Sequence, residues 1–439
     1  MKICIYGAGY VGLVTGVCLA DLGHHVKIIE SNSNKLKILR SGKATFYEPD
    51  LERLMERNAS RLIFEACLHE LHNMDALFVC VGTPEDPATG RASMQQIKIV
   101  FDELADLCVR TGHLLKKRVP VFIKSTVPVG TNQEITKVLE RKSVSGSFLI
   151  GSNPEFLREG NAINDFFEPD RLVIGASCDE MFNVASKIYR GLALSEAQFI
   201  CTDPATAELV KYTANSLLAT KLTFMNEIAH LSEKVEANID QVASAVGADK
   251  RIGSAFLKVG PGYGGSCFPK DTKALYEIAQ DHNVELSILS SVISANERVR
   301  SRLSNLILDR IKRDGRKVAI LGVAFKADTD DLREAYSLEI IPLLLSNNCD
   351  ITIYDPAFIK GSHHSLFPGC KFAQSSSEAL QDADIILVLT EWKEFGNVRL
   401  VETEKEPFIF DFRNILNVEE HDPGKFYRIG IKQGNGAVE

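Results

Sequence analysis

The chain has 439 residues, of which 45% are hydrophobic and 25% charged, as is typical of a soluble globular protein with two or three domains. The net charge of -8 arises from interspersed acids and bases, so no basic stripe predicts nucleic-acid binding. No apolar run approaches the roughly 18 residues of a membrane span. The ten cysteines form no CxxC pair, so we expect no metal, no disulfide framework and a reducing, cytoplasmic location.

The first predicted element is a nucleotide-binding turn. An apolar strand at 3–6 leads into GAGYVG at 7–12, and a helix-compatible run follows. In such a turn the glycines permit a tight bend, the approach of a pyrophosphate, and close packing of helix on strand. The next strand ends in Glu30, eighteen residues beyond Gly12, where a carboxylate binds a ribose 2′-hydroxyl and repels a 2′-phosphate. The pattern predicts NAD as the cofactor.

Two further predicted strands extend this first sheet. The segments 76–84 and 119–130 are apolar and end in Gly, Thr or Pro, as expected for loops at the carboxyl edge of a parallel sheet. Thr83 and Thr126 lie in these loops. We therefore expect both threonines to line the cofactor crevice.

A long helix is predicted next, over 203–238. Asp203 is a plausible N-cap, and Pro204 suits the first helical position. An apolar stripe at helical spacing predicts core or contact with a partner helix, and it consists of Leu217, Phe224, Ile228 and Leu231. Lys211 and Asn215 share a different face. Spacing alone predicts that this lysine is solvated.

The period-two pattern returns at 316–326, 350–356, 382–390 and 408–414, alternating with helical stretches. The first turn of this second α/β unit has Gly322 but no GxGxxG, so we expect a nucleotide or nucleotide-linked substrate there. The sequence thus predicts an α/β protein with two Rossmann-like doubly wound domains, joined by a long central helix and a helical dimerisation region. The predicted boundaries are 1–202, 203–300 and 301–439.

A cysteine follows four glycines in GPGYGGSCFPKD, residues 260–271, and we expect these glycines to let a substrate approach the backbone closely. Hydride transfer needs no thiol, but oxidation of an aldehyde to an acid is served by a thiolate that adds to the carbonyl and carries a thioester. Pro269 can start a helix whose N-terminus favours a thiolate at Cys267, with Lys270 nearby and Asp271 able to activate water. The alternative is that Cys267 is one more buried thiol.

The sequence resembles the UDP-glucose/GDP-mannose dehydrogenase family over nearly its whole length. The motifs that carry the resemblance are, in order, YGAGYVG, VGTP, KSTVPVG, SNPEFLREG, EPDRLVIG, ELVKYTAN, DKRIG, GPGYGGSCFPKD, GVAFKADTDDLRE and DFRN. The family oxidises C6 of a nucleotide sugar from alcohol to carboxylate with two NAD molecules, without releasing the aldehyde. The motifs are most similar to the branch that acts on UDP-glucose; GDP-mannose and UDP-N-acetylmannosamine are the alternative substrates.

The resemblance implies catalytic roles. Cys267 becomes the nucleophile, and Asp271 becomes part of the acid/base apparatus. Lys211 and Asn215 become stabilisers of the developing oxyanion, which suits a cation and an amide on a rigid helix.

The resemblance also implies how water and ligands are held. Thr126 and Glu155 would hold the catalytic water, and Glu159 would lie beside the sugar. Cofactor contacts are implied for Gly7, Gly9, Tyr10, Val11, Gly12, Glu30, Lys35, Gly82, Thr83, Thr126, Glu159, Lys270 and Arg333. Substrate contacts are implied for Glu155, Phe156, Leu157, Arg158, Glu159, Lys211, Asn215, Arg251, Phe256, Leu257, Tyr263, Gly264, Phe325, Lys326 and Arg413.

The resemblance implies a homodimer through the long helix, with Arg251 reaching the neighbouring subunit's site. Three positions depart from the family pattern: Phe412 stands where glycine is usual, Ala335 where serine is common, and Glu30 where aspartate is more usual. Two other classes of protein explain less of the sequence. A β-hydroxyacid dehydrogenase has no use for Cys267, and a regulator without catalysis has no need of the intact catalytic set.

Overall fold

The computed structural model describes residues 1–86, 89–111, 117–196, 198–358, 364–398, 406–417 and 423–432. Its chain separates into two compact units. The first comprises Met1–Ala214 and Glu277–His282, and the second comprises Asn215–Tyr276 and Asn283–Glu439.

The first unit is built on one sheet. Its strands β1 to β8 are Lys2–Tyr6, His25–Ile29, Leu62–Glu65, Ala76–Val79, Val119–Ile123, Phe148–Ser152, Leu172–Gly175 and Phe199–Thr202. The strand order is β3-β2-β1-β4-β5-β6-β7-β8, and neighbouring strands are parallel except for β6 with β7. The order reverses between β1 and β4, which is the switch point where doubly wound folds bind their ligands. The predicted Rossmann-like sheet is confirmed.

Helices cover both faces of this sheet. Helices α1 to α7 are Tyr10–Asp21, Ser33–Arg40, Leu51–Arg57, Gln95–Arg110, Thr131–Arg141, Ala162–Phe167 and Asp179–Ile188. Alternate residues of β1 enter different cores, Ile3 and Ile5 on one face and Cys4 and Tyr6 on the other. Burial on both faces explains why the strands are almost continuously apolar in sequence.

The predicted long helix is confirmed as α8, Pro204–Val235. Asp203 caps it, because its Oδ1 accepts a hydrogen bond from the Thr206 backbone amide at 2.9 Å. The chain then forms α9, α10 and α11, which are Ile239–Gly247, Phe268–Asp281 and Ser287–Asp314. The dividing point between the units falls inside α8, between Ala214 and Asn215.

The second unit contains the second predicted sheet. Its strands β9 to β14 are Lys317–Leu321, Asp350–Tyr354, Lys371–Phe372, Ile385–Val388, Phe408–Asp411 and Phe426–Arg428, and its helices α12 and α13 are Ser337–Ser346 and Ser376–Leu380. The order β11-β10-β9-β12-β13-β14 is parallel throughout the described residues. Numbered within this sheet, the order is 3-2-1-4-5-6, the classical order of a doubly wound dinucleotide fold, which confirms the second Rossmann-like domain.

Candidate active site

The glycine-rich turn after β1 has the shape required for a dinucleotide. A Cβ at Gly7, where φ is +97°, would lie 2.8 Å from the Cys80 carbonyl oxygen, and one at Gly12 would lie 1.9 Å from the Gly7 carbonyl oxygen. Gly9, by contrast, has open space at its Cβ position, and among the described residues no side chain caps α1 at this glycine. The amides that begin α1 are therefore available to a pyrophosphate, and the turn fits NAD.

The other predicted cofactor residues of this unit surround the same switch point. Glu30 follows β2 directly and accepts a hydrogen bond from the Asn32 amide at 2.8 Å. Thr83 donates a hydrogen bond from Oγ1 to the Thr126 carbonyl oxygen at 2.8 Å. Gly82 is exposed beside Thr83, and Lys35 is exposed on α2. The loops after β4 and β5 are thus joined by the two threonines that the sequence placed in the crevice.

Lys211 and Glu155 form a buried ion pair. The Lys211 Nζ lies 3.0 Å from Glu155 Oε1, with side-chain exposures of 4% and 6%. The second carboxylate oxygen of Glu155 accepts a hydrogen bond from the Leu157 amide at 2.6 Å. The interpretation of Lys211 as a solvated lysine, from helix spacing alone, is wrong, because the segment after β6 covers that face of α8.

The rest of the 155–159 segment is held by cations and carboxylates. The Phe156 ring contacts two cations, the Arg171 guanidinium at 3.9 Å from its centroid and the Lys211 ammonium at 5.4 Å. Arg158 pairs with Asp165 at 2.5 Å. Glu159 follows and is half-buried. A loop held this firmly can present groups to a ligand with little loss of entropy.

Cys267 lies at the amino end of α10 in the second unit. Its carbonyl oxygen accepts the hydrogen bond of the Asp271 amide at 2.8 Å, so Cys267 stands at the cap position and Pro269 in the first turn. The thiol is half-buried, with Ser266 Oγ 3.4 Å from its Sγ. Cys267 thus has the position at a helix N-terminus from which the sequence predicted a stabilised thiolate, and the thiolate itself stays a prediction.

Asp271 organises the groups next to this thiol. It is 1% exposed, and its two oxygens accept hydrogen bonds from Asn215 Nδ2 at 2.6 Å and from Lys270 Nζ at 2.5 Å. The residues Asn215, Asp271 and Lys270 are thus brought together within the second unit. Lys270, expected to contact the cofactor, is engaged by Asp271.

The glycines before Cys267 are required by close contacts within the protein. A Cβ at Gly264 would lie 2.3 Å from the Glu334 carbonyl oxygen, and one at Gly265, where φ is +81°, would lie 2.7 Å from the Phe325 ring. Gly262 is crowded in the same way by Asn296. The glycines allow the loop to pack against neighbouring segments, a different reason from the close approach of substrate that the sequence suggested.

A small cavity in the second unit contains several of the predicted nucleotide-sugar residues. It is lined by Gly262, Gly264, Arg300, Phe325, Tyr336 and Arg413. Arg413 donates hydrogen bonds to the carbonyl oxygens of Leu389 and Phe325, both at 2.8 Å, and pairs with Glu391 at 3.2 Å. Phe412 is fully buried against Tyr336 and Tyr427, so the bulky residue at the usual glycine position stays out of the cavity.

Five other residues of the second unit that were predicted to contact substrate or cofactor differ in their burial. Leu257 and Tyr263 are buried, the Phe256 ring lies 5.8 Å from that of Phe268 in a tilted arrangement, and Lys326 is half-buried. Arg333 is 63% exposed and pairs with Asp331.

Arg251 is separate from these groups. Its side chain is 89% exposed and pairs with Asp249 on its own loop. Within the described chain it therefore reaches out to solvent.

Sequence reasoning missed three buried charged residues of the first unit. Lys124 is buried next to the crevice loop, donates to Asn153 Oδ1 at 3.2 Å, and has its pKa lowered by burial. Glu208 accepts hydrogen bonds from the Gly130 and Asn132 amides at 2.7 and 3.0 Å, and burial raises its pKa. Glu48 lies beneath the dinucleotide turn. Lys124 and Glu208 lie in KSTVPVG and ELVKYTAN, two motifs of the family resemblance that could have marked them as site residues. Glu48 lies in none of these motifs.

No group of three or more His, Cys, Asp or Glu side chains within the described residues has an arrangement suited to a metal ion. No described helix combines the length and the apolar character required to cross a membrane.

Comparison with known proteins gives the family. Residues 1–193 match the NAD binding domain of the UDP-glucose/GDP-mannose dehydrogenase family, 205–298 its central domain, and 319–418 its UDP binding domain. UDP-glucose 6-dehydrogenase of Rhizobium meliloti (strain 1021) is 39% identical, covering 96% of this chain and 97% of the relative. UDP-glucose 6-dehydrogenase YwqF of Bacillus subtilis (strain 168) is 40% identical, covering 100% of each. A UDP-glucose dehydrogenase structure from the hyperthermophilic archaeon Pyrobaculum islandicum has a TM-score of 0.87 at 31% identity, covering 100% of this chain and 98% of that one.

The dinucleotide turn and the doubly wound sheets define an NAD-dependent oxidoreductase. The chain belongs to the UDP-glucose/GDP-mannose dehydrogenase family.

Proposed function

We propose that the protein is a UDP-glucose 6-dehydrogenase, which converts UDP-glucose, two NAD and water to UDP-glucuronate and two NADH. The observation that carries the proposal is a thiol at the amino end of α10 beside a buried carboxylate that is held by Asn215 and Lys270. A thiol is needed for the second oxidation and has no use in the first. The names of the full-length bacterial relatives support UDP-glucose over GDP-mannose or UDP-N-acetylmannosamine.

In this proposal the first step oxidises the C6 alcohol. When bound, NAD accepts one hydride from C6 in each of the two oxidations. The hydroxyl proton leaves through a water molecule held by Thr126 and Glu155. Lys211 and Asn215 would stabilise the negative charge that develops on the C6 oxygen, a role suited to a cation and an amide.

In the second stage the Cys267 thiolate adds to the aldehyde. A carbon–sulfur bond forms, and the resulting thiohemiacetal loses the second hydride to leave a thioester. Water then adds to the thioester, the carbon–sulfur bond breaks, and the acid and the free thiol are released. Asp271 takes and returns the protons of this stage, and its hydrogen bonds from Asn215 and Lys270 keep it in place.

The ligand contacts are proposed as the family motifs imply. Residues 1–202 would bind NAD, 203–300 would provide dimerisation and the cysteine loop, and 301–439 would bind the UDP-sugar. Lys326 and Arg413 would bind the diphosphate, to which cationic side chains are suited. Arg413 would exchange its present Glu391 partner for phosphate oxygens.

We also propose a homodimer through α8. Leu217, Phe224 and Leu231 recur every seven residues, and each is more than half exposed in the single chain. The groove beside Phe224 adds Ile288 of α11, which is 73% exposed. An apolar seam at heptad spacing is the pattern by which two helices pack together, and a second copy of α8 presents the same seam. The ten free cysteines support a cytoplasmic location.

The test is the number of NADH molecules formed per sugar consumed, with UDP-glucose, UDP-N-acetylmannosamine and GDP-mannose offered separately. We expect two NADH per UDP-glucose and little reaction with the others. One NADH would show that oxidation stops at the aldehyde, and two with another sugar would assign a different branch of the family. Cys267→Ala should form no acid; acid production at a near-normal rate would remove the thioester from the mechanism.

A further inference from the structure

A buried carboxylate links the dinucleotide turn to the segment that follows Glu159. Glu48 is 6% exposed, and its Oε2 accepts a hydrogen bond from the Tyr10 hydroxyl at 2.6 Å. The same oxygen accepts one from the Gly160 amide at 2.7 Å, and Oε1 accepts one from the Ala162 amide at 2.7 Å. Both carboxylate oxygens are therefore used to hold this contact.

The residues joined by Glu48 belong to different parts of the first unit. Tyr10 is the first residue of α1, inside the turn that fits the dinucleotide. Gly160 directly follows Glu159, and Ala162 begins α6. The Tyr10 hydroxyl also lies 3.3 Å from the Arg158 carbonyl oxygen, so the tyrosine contacts the segment directly as well.

Burial keeps Tyr10 in its donor form. Burial, reinforced by the negative charge of Glu48, raises the pKa of the Tyr10 phenol far above neutrality. A neutral phenol that donates to a buried carboxylate is a strong, charge-assisted hydrogen bond. The Tyr10 hydroxyl thus keeps its proton and acts as the donor in this contact.

We propose that Glu48 is a positioning residue that couples the dinucleotide turn to the substrate segment at 155–160. This inference rests on the proposed function, since that function makes 155–160 a substrate segment. A ligand that shifts or orders the turn at Tyr10 changes the position of Glu48, and with it the backbone from Arg158 to Ala162. Binding at either end must then alter affinity at the other by the same factor.

The test uses Tyr10→Phe, Glu48→Gln and the double variant. Tyr10→Phe removes one donor and leaves the carboxylate in contact with both amides. Glu48→Gln replaces one acceptor oxygen with an NH₂ group that cannot accept. Tyr47→Phe is the matched control, because this neighbouring tyrosine is 47% exposed. Thermal midpoints show whether each variant is folded.

The first readout is the dissociation constant of NADH, measured by fluorescence titration with and without saturating UDP-glucose. NADH and UDP-glucose cannot react with each other, so binding is measured without turnover. We expect the ratio of the two constants to differ from one in the wild type and in Tyr47→Phe, and to move toward one in Tyr10→Phe and Glu48→Gln. A ratio of one in the wild type, or an unchanged ratio in both variants, would overturn the proposal.

The second readout is steady-state kinetics. Tyr10→Phe removes a hydrogen bond to a charged group and should raise KM for UDP-glucose about tenfold. This effect on the sugar would come from a residue that lies in the dinucleotide turn. The double variant should be no worse than the more affected single variant. An effect of Tyr10→Phe on KM for NAD alone would count against coupling. If the wild type does not oxidise UDP-glucose, only the proposed function fails, and both readouts are repeated with the nucleotide sugar that it oxidises.

Discussion

Lys211 shows how one contact decides the meaning of a residue. Its ammonium is buried and paired with Glu155, and the neighbouring Phe156 ring closes over it. A buried cation whose position is fixed in advance stabilises charge that appears only in a transition state, because no reorganisation is needed when the charge develops.

Lys211→Ala should therefore lower kcat about a hundred- to a thousandfold, with little change in KM for the nucleotide sugar. Initial rates over a range of sugar concentrations separate the two parameters. Lys187→Ala, which removes an exposed lysine from α7, is the control. A variant with normal kcat and raised KM would show that Lys211 contributes to ground-state binding instead. Its thermal midpoint must also be measured, because the change leaves Glu155 buried without its cation.

The burial of Lys211 could not be predicted from α8 alone. A 3.6-residue period identifies the side chains that share a face, but it does not say what covers that face. Its partner, Glu155, lies 56 residues earlier in the chain. Glu48 is a stronger case, since its contacts with Gly160 and Ala162 span 112 and 114 residues and no local pattern marks them.

At the scale of elements, Asp355 explains why the second Rossmann-like domain is unlike the first. It follows β10, in the position that Glu30 occupies after β2. Its carboxylate is turned toward the β9 turn and accepts hydrogen bonds from the Val323 and Ala324 amides at 2.7 and 3.2 Å. The amides that would bind a phosphate at this turn are already occupied by the protein's own carboxylate.

Asp355 also makes stability depend on pH. Burial raises its pKa from 3.8 to about 6, so the folded state favours the protonated form. The contribution of protonated Asp355 to the free energy of unfolding is fully present below about pH 4 and is lost as the pH rises through 6. The pKa shift corresponds to a change of about 3 kcal/mol in that free energy.

We expect Asp355→Asn, which is neutral throughout, to gain thermal midpoint relative to the wild type when the pH is raised from 4 to 7. Differential scanning fluorimetry over that range measures the difference. Asp309→Asn, an exposed change on α11, should show no such trend. A constant difference between Asp355→Asn and the wild type would refute the assigned pKa.

The apolar seam of α8 leads to a prediction about assembly. Leu231→Glu places a charge in the seam, and two copies of that charge would face each other in a dimer. We expect sedimentation to change from the mass of two chains to that of one. Ile63→Glu, a change of the same type at an exposed position on β3, should leave the mass unchanged. A dimer that survives Leu231→Glu would require a different interface.

Most elements were predictable because their signals are local. The buried parallel strands are continuous apolar runs, and α8 has its cap and proline at the start. The cysteine loop is different. Its glycines were visible in the sequence, but their close neighbours Phe325 and Glu334 lie on a distant segment. The sequence predicted that some group approaches these glycines closely, but it did not predict that Phe325 and Glu334 are the groups that do so.

At the scale of the whole molecule, the two units have separate cores and separate predicted ligands. The turn at Gly7 to Gly12 fits a dinucleotide, whereas UDP is proposed to bind at the segments around the small cavity near Arg413, which is lined by cationic and aromatic side chains among others. A ligand slows amide hydrogen exchange where it stabilises the folded backbone, so the two ligands should leave different footprints.

NADH should slow exchange in peptides that contain 7–15, and UDP should slow it in peptides that contain 262–265, 323–326 and 411–414. Mass spectrometry after timed exchange, with each ligand alone at about a hundred times its dissociation constant, gives the comparison; such an excess stabilises a site by about 2.7 kcal/mol. The exposed turn at Gly369 is an internal control, because neither ligand is assigned to it. Protection of 323–326 by NADH and not by UDP would reverse the roles of the two domains. Protection by the expected ligand at each site would assign different ligands to two sheets that share a strand order, consistent with the contrast between Glu30, which leaves the amides of the glycine turn open, and Asp355, which occupies those of the β9 turn.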